Sequence, residues 1–197
     1  MAPLISFITI NYNSSHHTID LVDSIIKRTS PACLYEIIVV DNASEAADYK
    51  ALKDAMGRFP RVSVVRSRVN TGFSGGNMLG VNSARGQYYF FINNDCVLLN
   101  DCATILKEFI DSQKGAAAAT AEITDEQGKV LSSGKLFPSV IKECLGNSAH
   151  RLIFSKRSPD RSAPTAVEVI SGSCMFFRAD RFCGIGGFDT AFFLYCE

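Results

Sequence analysis

Three side chains that carry oxygen ligands come directly after an apolar run, since Asn93, Asn94 and Asp95 follow "YYFFI" at 88–92. Apolar runs of this length are typical of buried strands, whereas amides and carboxylates are costly to bury. Hard cations such as Mg²⁺ bind oxygen ligands, usually carboxylates completed by substrate phosphates. One carboxylate beside two amides therefore predicts an open site at which a diphosphate supplies further ligands. The alternative is an ordinary polar turn.

Two further polar stretches follow apolar runs. "NYNSS" at 11–15 comes after the run 4–10, and "DNAS" at 41–44 ends the run 36–41. Asp41 can accept hydrogen bonds from a ribose or a base, but residue type alone favours the alternative that Asp41 or Ser44 caps the next helix. The first stretch has no glycine-rich phosphate loop, which argues against the usual dinucleotide-binding and P-loop folds.

A glycine-rich stretch, "NTGFSGGNMLG", occupies 70–80. Gly72, Gly75 and Gly76 permit a close backbone approach just before a predicted helix at 75–86, for which Gly86 is the expected stop. Such a stretch favours an anion or nucleotide contact at the helix start, although a simple turn explains it equally well.

Strands and helices alternate in the first half of the chain, and this order positions the polar stretches. The predicted strands are 4–10, 36–41, 61–67 and 88–92, and the predicted helices are 16–29, 47–56, 75–86 and 102–113, the first of them capped by Ser14 or Ser15. The pattern predicts an α/β fold with a mostly parallel central sheet flanked by helices. Ligands bind such sheets outside the carboxyl ends of the strands, where all three polar stretches lie.

The second half has a weaker pattern. We expect a strand at 116–123 with a short return at 129–131, and two short strands around Gly172 within 167–180. Residues 134–166, rich in Ser, Pro and basic residues, are expected to form a long mobile segment that covers one side of the site. Since no shift in composition separates the halves, we predict one domain, 1–197.

Composition excludes several classes of function. Lys+Arg and Asp+Glu number 20 each, so no overall basic field indicates a nucleic-acid partner. Seven cysteines without C-x-x-C spacing argue against zinc and for reduced thiols in the cytoplasm, with Cys174 and Cys183 expected to be buried. The segment Leu4–Ile10 is interpreted as a strand rather than a signal peptide, and no apolar run reaches the length of a membrane span.

The ordered set of motifs resembles family 2 glycosyltransferases, of the inverting GT-A type, and is most similar to their bacterial rhamnosyltransferase-like branch. The matching segments are "ITINYNSS", "EIIVVDNAS", "NTGFSGGNMLG", "ARGQYYFFINND" and "VISGSCMFFRADRFCGIGGFDTAFFLYCE". No single segment is specific, but together they cover nearly the whole chain in the family's order.

The resemblance assigns roles to individual residues. Asp95 would bind Mg²⁺ or Mn²⁺ together with the donor diphosphate, and Asp41 would contact the base or ribose. The implied donor-side residues are Asn11, Tyr12, Asn13, Asp41, Asn42, Ser44, Asn70, Gly72, Phe73, Asn77, Asn93 and Asn94. The implied acceptor-side residues are Gly186, Gly187, Phe188 and Asp189. Residues 1–100 would form the donor half and residues 101–197 the acceptor half.

Two features depart from the family pattern. Asn93 stands where the D-x-D motif has its first carboxylate, which puts metal dependence in question. The sequence stops at Glu197, where the family's base motif would continue with Asp. We therefore interpret the acceptor half as incomplete, with Glu197 as the remaining candidate base, and expect little or no turnover by this chain.

The resemblance implies transfer of a sugar from a dTDP-, UDP- or GDP-linked donor to a hydroxyl of a glycan or lipid-linked acceptor, with inversion, in cell-surface polysaccharide synthesis. Two alternatives stay open: a non-catalytic module that binds nucleotide sugars, and a sugar nucleotidyltransferase. The second would require a glycine-rich basic loop after the first strand, which this sequence lacks. Basic residues scattered over 135–161 are interpreted either as a solvated loop or as a peripheral contact with the inner face of the membrane. The oligomeric state stays open.

Overall fold

The structure is a computed structural model of the 197-residue chain, and it describes residues 4–131, 134–135 and 163–194. Glu197 and most of the expected mobile segment 134–166 lie outside the described residues. The described residues divide into two compact units, one formed by residues up to Ala121 together with those from Gly172 onward, and one formed by residues between them.

The elements follow one another along the chain in the order that the apolar runs predict, with shorter strands in the second half. They are β1 (Ile5–Asn11), α1 (Ser15–Arg28), β2 (Tyr35–Asn42), α2 (Ala46–Met56), β3 (Val62–Ser67), α3 (Gly72–Val81), β4 (Tyr88–Ile92), α4 (Cys102–Ser112), β5 (Ala118–Ala119), β6 (Ile123–Thr124), β7 (Val130–Leu131), β8 (Gly134–Lys135), β9 (Val169–Ile170), β10 (Cys174–Arg178) and α5 (Ala179–Gly184). Among the helices described, none combines the length and apolar character needed to cross a bilayer.

The first unit contains a sheet with the strand order β3-β2-β1-β4-β10-β5. The first four strands are parallel and β10 is antiparallel to both of its neighbours, which confirms the predicted mostly parallel sheet. The chain runs outward from β1 to β3 and returns on the other side of β1 as β4. The strand order therefore reverses between β1 and β4, where α/β sheets bind their ligands.

Aromatic side chains build the core on both faces of this sheet. Phe7, Phe90 and Phe176 are register neighbours on adjacent strands, and their successive ring centroids lie 5.3 Å apart. On the opposite face Phe182 of α5 packs 5.1 Å from Phe91. Each fully buried ring contributes about 1.5–3 kcal/mol by removal from water, so these contacts fix β10 against β4.

The helix α3 approaches the sheet closely because it carries glycine at the contact. A Cβ atom on Gly80 would lie 2.5 Å from Cγ2 of Ile8 on β1 and 3.2 Å from Cγ2 of Val40 on β2. A larger residue here would lift the helix, and with it the glycine-rich stretch at the helix start.

The predicted bounds of this helix were wrong at both ends, since it spans Gly72–Val81 rather than 75–86. Gly86 is not its stop, because the Gly86 backbone N–H donates to Ser6 Oγ at 2.9 Å. The preceding Arg85 N–H donates to Glu36 Oε1 at 2.7 Å. Buried polar groups at the amino ends of β1 and β2 thus hold residues 85–86 outside the helix.

Further predictions in the second half have mixed outcomes. The expected strand 116–123 is reduced to β5 and β6, which belong to different sheets. In the second unit β6 pairs with β7, which confirms the short return, and β8 pairs with β9. The two strands around Gly172 are confirmed as β9 and β10.

Candidate donor site at the carboxyl edge of the sheet

The sheet register brings the three predicted polar stretches to one edge. Asn11, the last residue of β1, stands opposite Asp41 of β2. Asn42 ends β2, and β4 ends at Ile92, directly before Asn93. The prediction that these stretches meet is therefore confirmed by the parallel pairing.

Asn11 is the centre of a buried hydrogen-bond network at this edge. Its side chain is fully buried, and its Nδ2 donates to Asp41 Oδ1 at 3.1 Å, Ser44 Oγ at 3.0 Å and Asp48 Oδ2 at 2.8 Å. The NH₂ group of Asn11 is thus fully used in hydrogen bonds within the protein. We conclude that Asn11 orders its neighbours at this edge and has no exposed surface for a ligand.

Asp48 was not identified from the sequence, yet it joins two helices to this network. Its Oδ1 accepts the backbone N–H of Ser15, at the first turn of α1, at 2.9 Å. Burial alone would raise the pKa of Asp48, but the hydrogen bonds from Asn11 and Ser15 outweigh it and hold that pKa below its ordinary value. Ser14 is the N-cap residue of α1, as predicted, but its side chain makes no capping bond, and Asp48 of α2 caps the helix instead.

Asp41 is buried and paired, and it does not cap a helix. Arg66 Nε lies 3.2 Å from Asp41 Oδ2, and Arg66 also donates to the backbone oxygen of Ser44 at 3.0 Å. The guanidinium stacks on the ring of Tyr49, 3.9 Å from its centroid. The N-cap residue of α2 is Glu45, directly before Ala46, so the capping interpretation of Asp41 and Ser44 was wrong.

Asn42 holds the glycine-rich stretch against β2. Its Nδ2 donates to Asn70 Oδ1 at 2.9 Å and to the Gly72 backbone oxygen at 3.0 Å, and its Oδ1 accepts from the Thr71 backbone N–H at 3.1 Å. Asn70 Oδ1 in turn accepts from the Gly72 N–H at 2.9 Å. This set of bonds fixes the start of α3 beside the strand ends.

The remaining donor-side predictions differ in exposure. Tyr12 is 50% exposed, whereas Asn77 is only 2% exposed, with Nδ2 lacking a hydrogen-bond partner in the described part of the chain. Asn13 adopts a positive φ of 52°; its N–H donates to Ser44 Oγ at 3.0 Å and its Oδ1 accepts from the Glu45 N–H at 2.8 Å. Tyr12 thus presents the largest accessible side chain at this strand end.

The Asn93–Asp95 loop is held from two sides. The backbone N–H of Asn93 donates to the Ser173 oxygen at 3.1 Å. The side chain of Asn94 points inward, and its Nδ2 donates to Ser14 Oγ at 2.7 Å and to Thr18 Oγ1 at 3.0 Å. Asp95 is exposed. Of the three side chains in the motif, Asp95 is therefore the carboxylate available to a ligand.

The donor set at Asp95 fits a divalent cation as an open site. Among the described residues, no group of three or more His, Cys, Asp or Glu side chains is placed to hold a metal. Burial and the adjacent Asp95 raise the pKa of Cys96 to about 12, so its thiol is protonated at neutral pH. A single hard carboxylate suits Mg²⁺ or Mn²⁺ when substrate oxygens complete the shell.

The predicted acceptor-side residues lie close to the start of α3. Phe188 packs on Phe73, with ring centroids 5.8 Å apart, and on Phe91 at 5.0 Å. A Cβ on Gly187 would lie 2.8 Å from the side chain of Met78. Gly186 and Asp189 are exposed, and Asp189 Oδ1 accepts the Ala191 N–H at 2.9 Å. The structure thus brings Phe188 next to the donor-side residue Phe73, and Gly187 next to Met78 of α3.

The cysteine predictions have mixed outcomes. Cys174 is buried as predicted, and a hydrogen bond with Cys102 outweighs burial and lowers the pKa of Cys174 to about 7. Cys183 is exposed, so its predicted burial was wrong. The reason is that the neighbouring Phe182, rather than Cys183, faces the sheet, where it is 1% exposed.

Comparison with known proteins identifies the family. Residues 6–183 match the model described as glycosyl transferase family 2. The chain therefore belongs to glycosyl transferase family 2, as its motifs predict, and has the GT-A fold.

Individual relatives share parts of the chain. Rhamnosyltransferase WbbL of Escherichia coli K12 is 26% identical over 177 residues, which cover 83% of this chain and 63% of that protein. Mouse polypeptide N-acetylgalactosaminyltransferase 10 is 33% identical over 76 residues, 38% of this chain and 13% of that protein.

A solved structure is similar over almost the whole chain. It is mannosyltransferase PcManGT of Pyrobaculum calidifontis in complex with GDP-Man and Mn²⁺, with a TM-score of 0.67 at 15% identity, over 96% of this chain and 48% of that one. At this identity the likeness establishes the fold. The chain spans less than two thirds of the length of each of these three proteins.

Proposed function

We propose that this chain forms the donor-binding part of an inverting glycosyltransferase, which moves a sugar from a nucleoside diphosphate to a hydroxyl of a glycan or lipid-linked acceptor. The observation that carries the proposal is that the exposed residue Asp95 lies at the same sheet edge as the Asn11–Asp41 hydrogen-bond network. A nucleoside diphosphate has two parts that the protein must bind: the base with its ribose, and the charged diphosphate.

The nucleoside end is assigned to the pocket built by β1 and β2. Tyr12 offers an aromatic face 50% exposed to solvent, on which a base can stack. Asn11 and Asp41 are buried at the same strand ends and hydrogen-bonded to one another, so we assign them the role of ordering this part of the site. Backbone groups and exposed side chains near these two residues would then contact the nucleoside.

The diphosphate end is assigned to Asp95. A divalent cation bound there would neutralise the negative charge that develops on the leaving diphosphate. Asp95 would hold that cation, while Asn94 and the Ser173 backbone oxygen keep the loop in place. Asn93, which carries no charge, leaves the site with one fewer carboxylate than the D-x-D form, so we expect a modest metal affinity.

The acceptor hydroxyl needs a carboxylate that takes its proton as the new bond forms. We assign this role to the carboxylate motif at the end of the chain, where Glu197 is the candidate. A base on the side of the sugar opposite the diphosphate gives a single displacement and hence inversion. The E. coli relative is a rhamnosyltransferase, which supports sugar transfer; the acceptor in surface polysaccharide synthesis is proposed from the motif resemblance alone.

A non-catalytic module that binds nucleotide sugars is the second candidate. The single carboxylate in the Asn93–Asp95 loop favours it, because a weakly held cation would stabilise the leaving group poorly. Membership of a glycosyltransferase family counts against the sugar nucleotidyltransferase considered above.

A thermal-shift screen of dTDP, UDP and GDP, each with Mn²⁺ and with EDTA, tests the proposal. A ligand that binds the folded state stabilises it by about 2.7 kcal/mol at a hundredfold excess over Kd. We expect at least one nucleotide to raise the melting temperature, more so with Mn²⁺. The absence of a shift with all three would contradict donor binding. Turnover of the matching sugar nucleotide then separates an enzyme from a binding module.

A further inference from the structure

The hydroxyl of Thr18 joins the two ends of the proposed donor site. Thr18 lies in the first turn of α1 and is fully buried. Its Oγ1 donates to Asn11 Oδ1 at 2.8 Å and accepts from Asn94 Nδ2 at 3.0 Å. Asn11 belongs to the nucleoside pocket, and Asn94 directly precedes Asp95. One hydroxyl therefore contacts both sides of the strand-order reversal between β1 and β4.

The polarity of this chain of hydrogen bonds is fixed from one end to the other. The acceptors Asp41, Ser44 and Asp48 surround Asn11 Nδ2, so Asn11 must present its oxygen to Thr18. The single hydroxyl proton of Thr18 then goes to that oxygen at 2.8 Å rather than to the Ser14 backbone oxygen, which is farther away at 3.5 Å, and Thr18 can only accept from Asn94. Asn94 must consequently point its NH₂ group inward. The carboxylates of Asp41 and Asp48 thus determine the orientation of Asn94, which directly precedes Asp95.

We propose that Thr18 is a positioning residue that couples the order of the nucleoside pocket to the direction of Asp95. This inference rests on the proposed function, in which Asp95 holds the metal-bound diphosphate. Partners that orient a metal ligand without touching the metal commonly change metal affinity by about 10–100-fold when they are lost. Thr18 acts less directly than such a partner, because it contacts Asn94 rather than Asp95 itself.

Three substitutions isolate the role of the hydroxyl. Thr18→Val keeps the shape and removes both hydrogen bonds, whereas Thr18→Ser keeps the hydroxyl. Thr9→Val is the matched control, because Thr9 is 2% exposed on β1 and its Oγ1 has no hydrogen-bond partner among the described residues. If Thr18→Val does not fold, Asn94→Ala breaks the same contact from the side of the loop.

Hydrogen–deuterium exchange of the free protein tests the coupling without any ligand. The N–H groups of Asn93 and Cys96 are both hydrogen-bonded, so a peptide that begins a few residues before Asn93 and extends past Cys96 reports the order of the loop. We expect Thr18→Val, or Asn94→Ala, to speed exchange of this peptide about tenfold, and Thr18→Ser and Thr9→Val to leave it near the wild-type rate. Wild-type exchange in both Thr18→Val and Asn94→Ala would overturn the inference.

Binding of dTDP, UDP and GDP in Mn²⁺ and in EDTA tests the consequence for the site. We expect Thr18→Val to lose about tenfold of the Mn²⁺-dependent affinity while affinity in EDTA is unchanged, with Thr18→Ser restoring it. Equal losses in Mn²⁺ and EDTA would indicate a general structural role and overturn the inference. If the wild type binds none of the three, the proposed donor function fails, and the exchange experiment still decides the role of Thr18.

Discussion

The backbone oxygen of Phe193 accepts a hydrogen bond from the N–H of Phe73 at 2.7 Å, at the first turn of α3. The N-terminus of a helix carries unpaired N–H groups and a partial positive charge. Part of that surface is here occupied by the segment that follows Phe188, so the predicted acceptor side is attached directly to the predicted donor side. Gly72 makes this contact possible.

Gly72→Ala is expected to detach this segment. A Cβ at position 72 would lie 2.1 Å from Phe193 O, and Gly72 has a φ of +71°, which costs other residues about 1–3 kcal/mol. We expect lower stability in urea and faster proteolysis within 189–194. Gly184→Ala is the control, since nothing lies within 4 Å of a Cβ there. Equal proteolysis in the two variants would contradict the attachment.

Asn42→Asp should loosen the start of α3. The substitution replaces the Nδ2 donor, which holds Asn70 Oδ1 and the Gly72 oxygen, with a second oxygen. Leaving buried acceptors unpaired costs about 1–3 kcal/mol, measurable by urea denaturation. Asn100→Asp, at an exposed position, is the control. If both variants retain wild-type stability, Asn42 is not the residue that holds this turn.

The residues at the carboxyl edge of the sheet could be predicted from the sequence, whereas the hydrogen-bond network that supports them could not. Asn11, Asp41 and Asn93 follow apolar runs, and a parallel sheet necessarily collects strand ends at one edge. Thr18, Asp48 and Arg66 make their contacts across 7 to 37 positions of the sequence, and such pairings depend on how helices pack on the sheet.

The buried role of Thr18 is indicated by its position in the sequence, although it was not predicted. Thr18 lies on the stripe of α1 that also carries Val22 and Ile25, all three of which are fully buried. A polar residue on an apolar helical stripe must find a buried partner. Asp48, in the first turn of α2, instead resembles an ordinary helix-dipole residue, and nothing in its spacing indicates Asn11 or Ser15.

Stability should depend on pH through Asp48. The folded-state pKa of Asp48 lies below its ordinary value of 3.8. The carboxylate therefore contributes stability that is fully present above 3.8 and is lost as the pH falls through the lower, folded-state value. We expect the difference in free energy of unfolding between wild type and Asp48→Asn to shrink from about pH 5 toward about pH 2. A constant difference would rule out this titration.

Arg66 and Asp41 should be energetically coupled. Removing Arg66 leaves the buried Asp41 carboxylate with one fewer partner, so we expect Arg66→Ala to destabilise the fold by about 1–3 kcal/mol, less than for a fully buried pair because Arg66 is partly exposed. In an Asp41→Asn background the cost should be smaller. A double-mutant cycle in urea measures this coupling, with the exposed Arg68→Ala as the control. Additive effects would contradict the pairing.

The most direct test of the central claim is calorimetric binding of dTDP, UDP and GDP to wild type and Asp95→Asn, in Mn²⁺ and in EDTA. Asp20→Asn, at an exposed position of α1, controls for the loss of one charge. We predict that wild type and Asp20→Asn bind at least one nucleotide about tenfold or more tightly with Mn²⁺, and that Asp95→Asn loses this gain but keeps its affinity in EDTA. Mn²⁺-dependent binding that survives in Asp95→Asn would contradict the assignment of the donor site to this edge of the sheet.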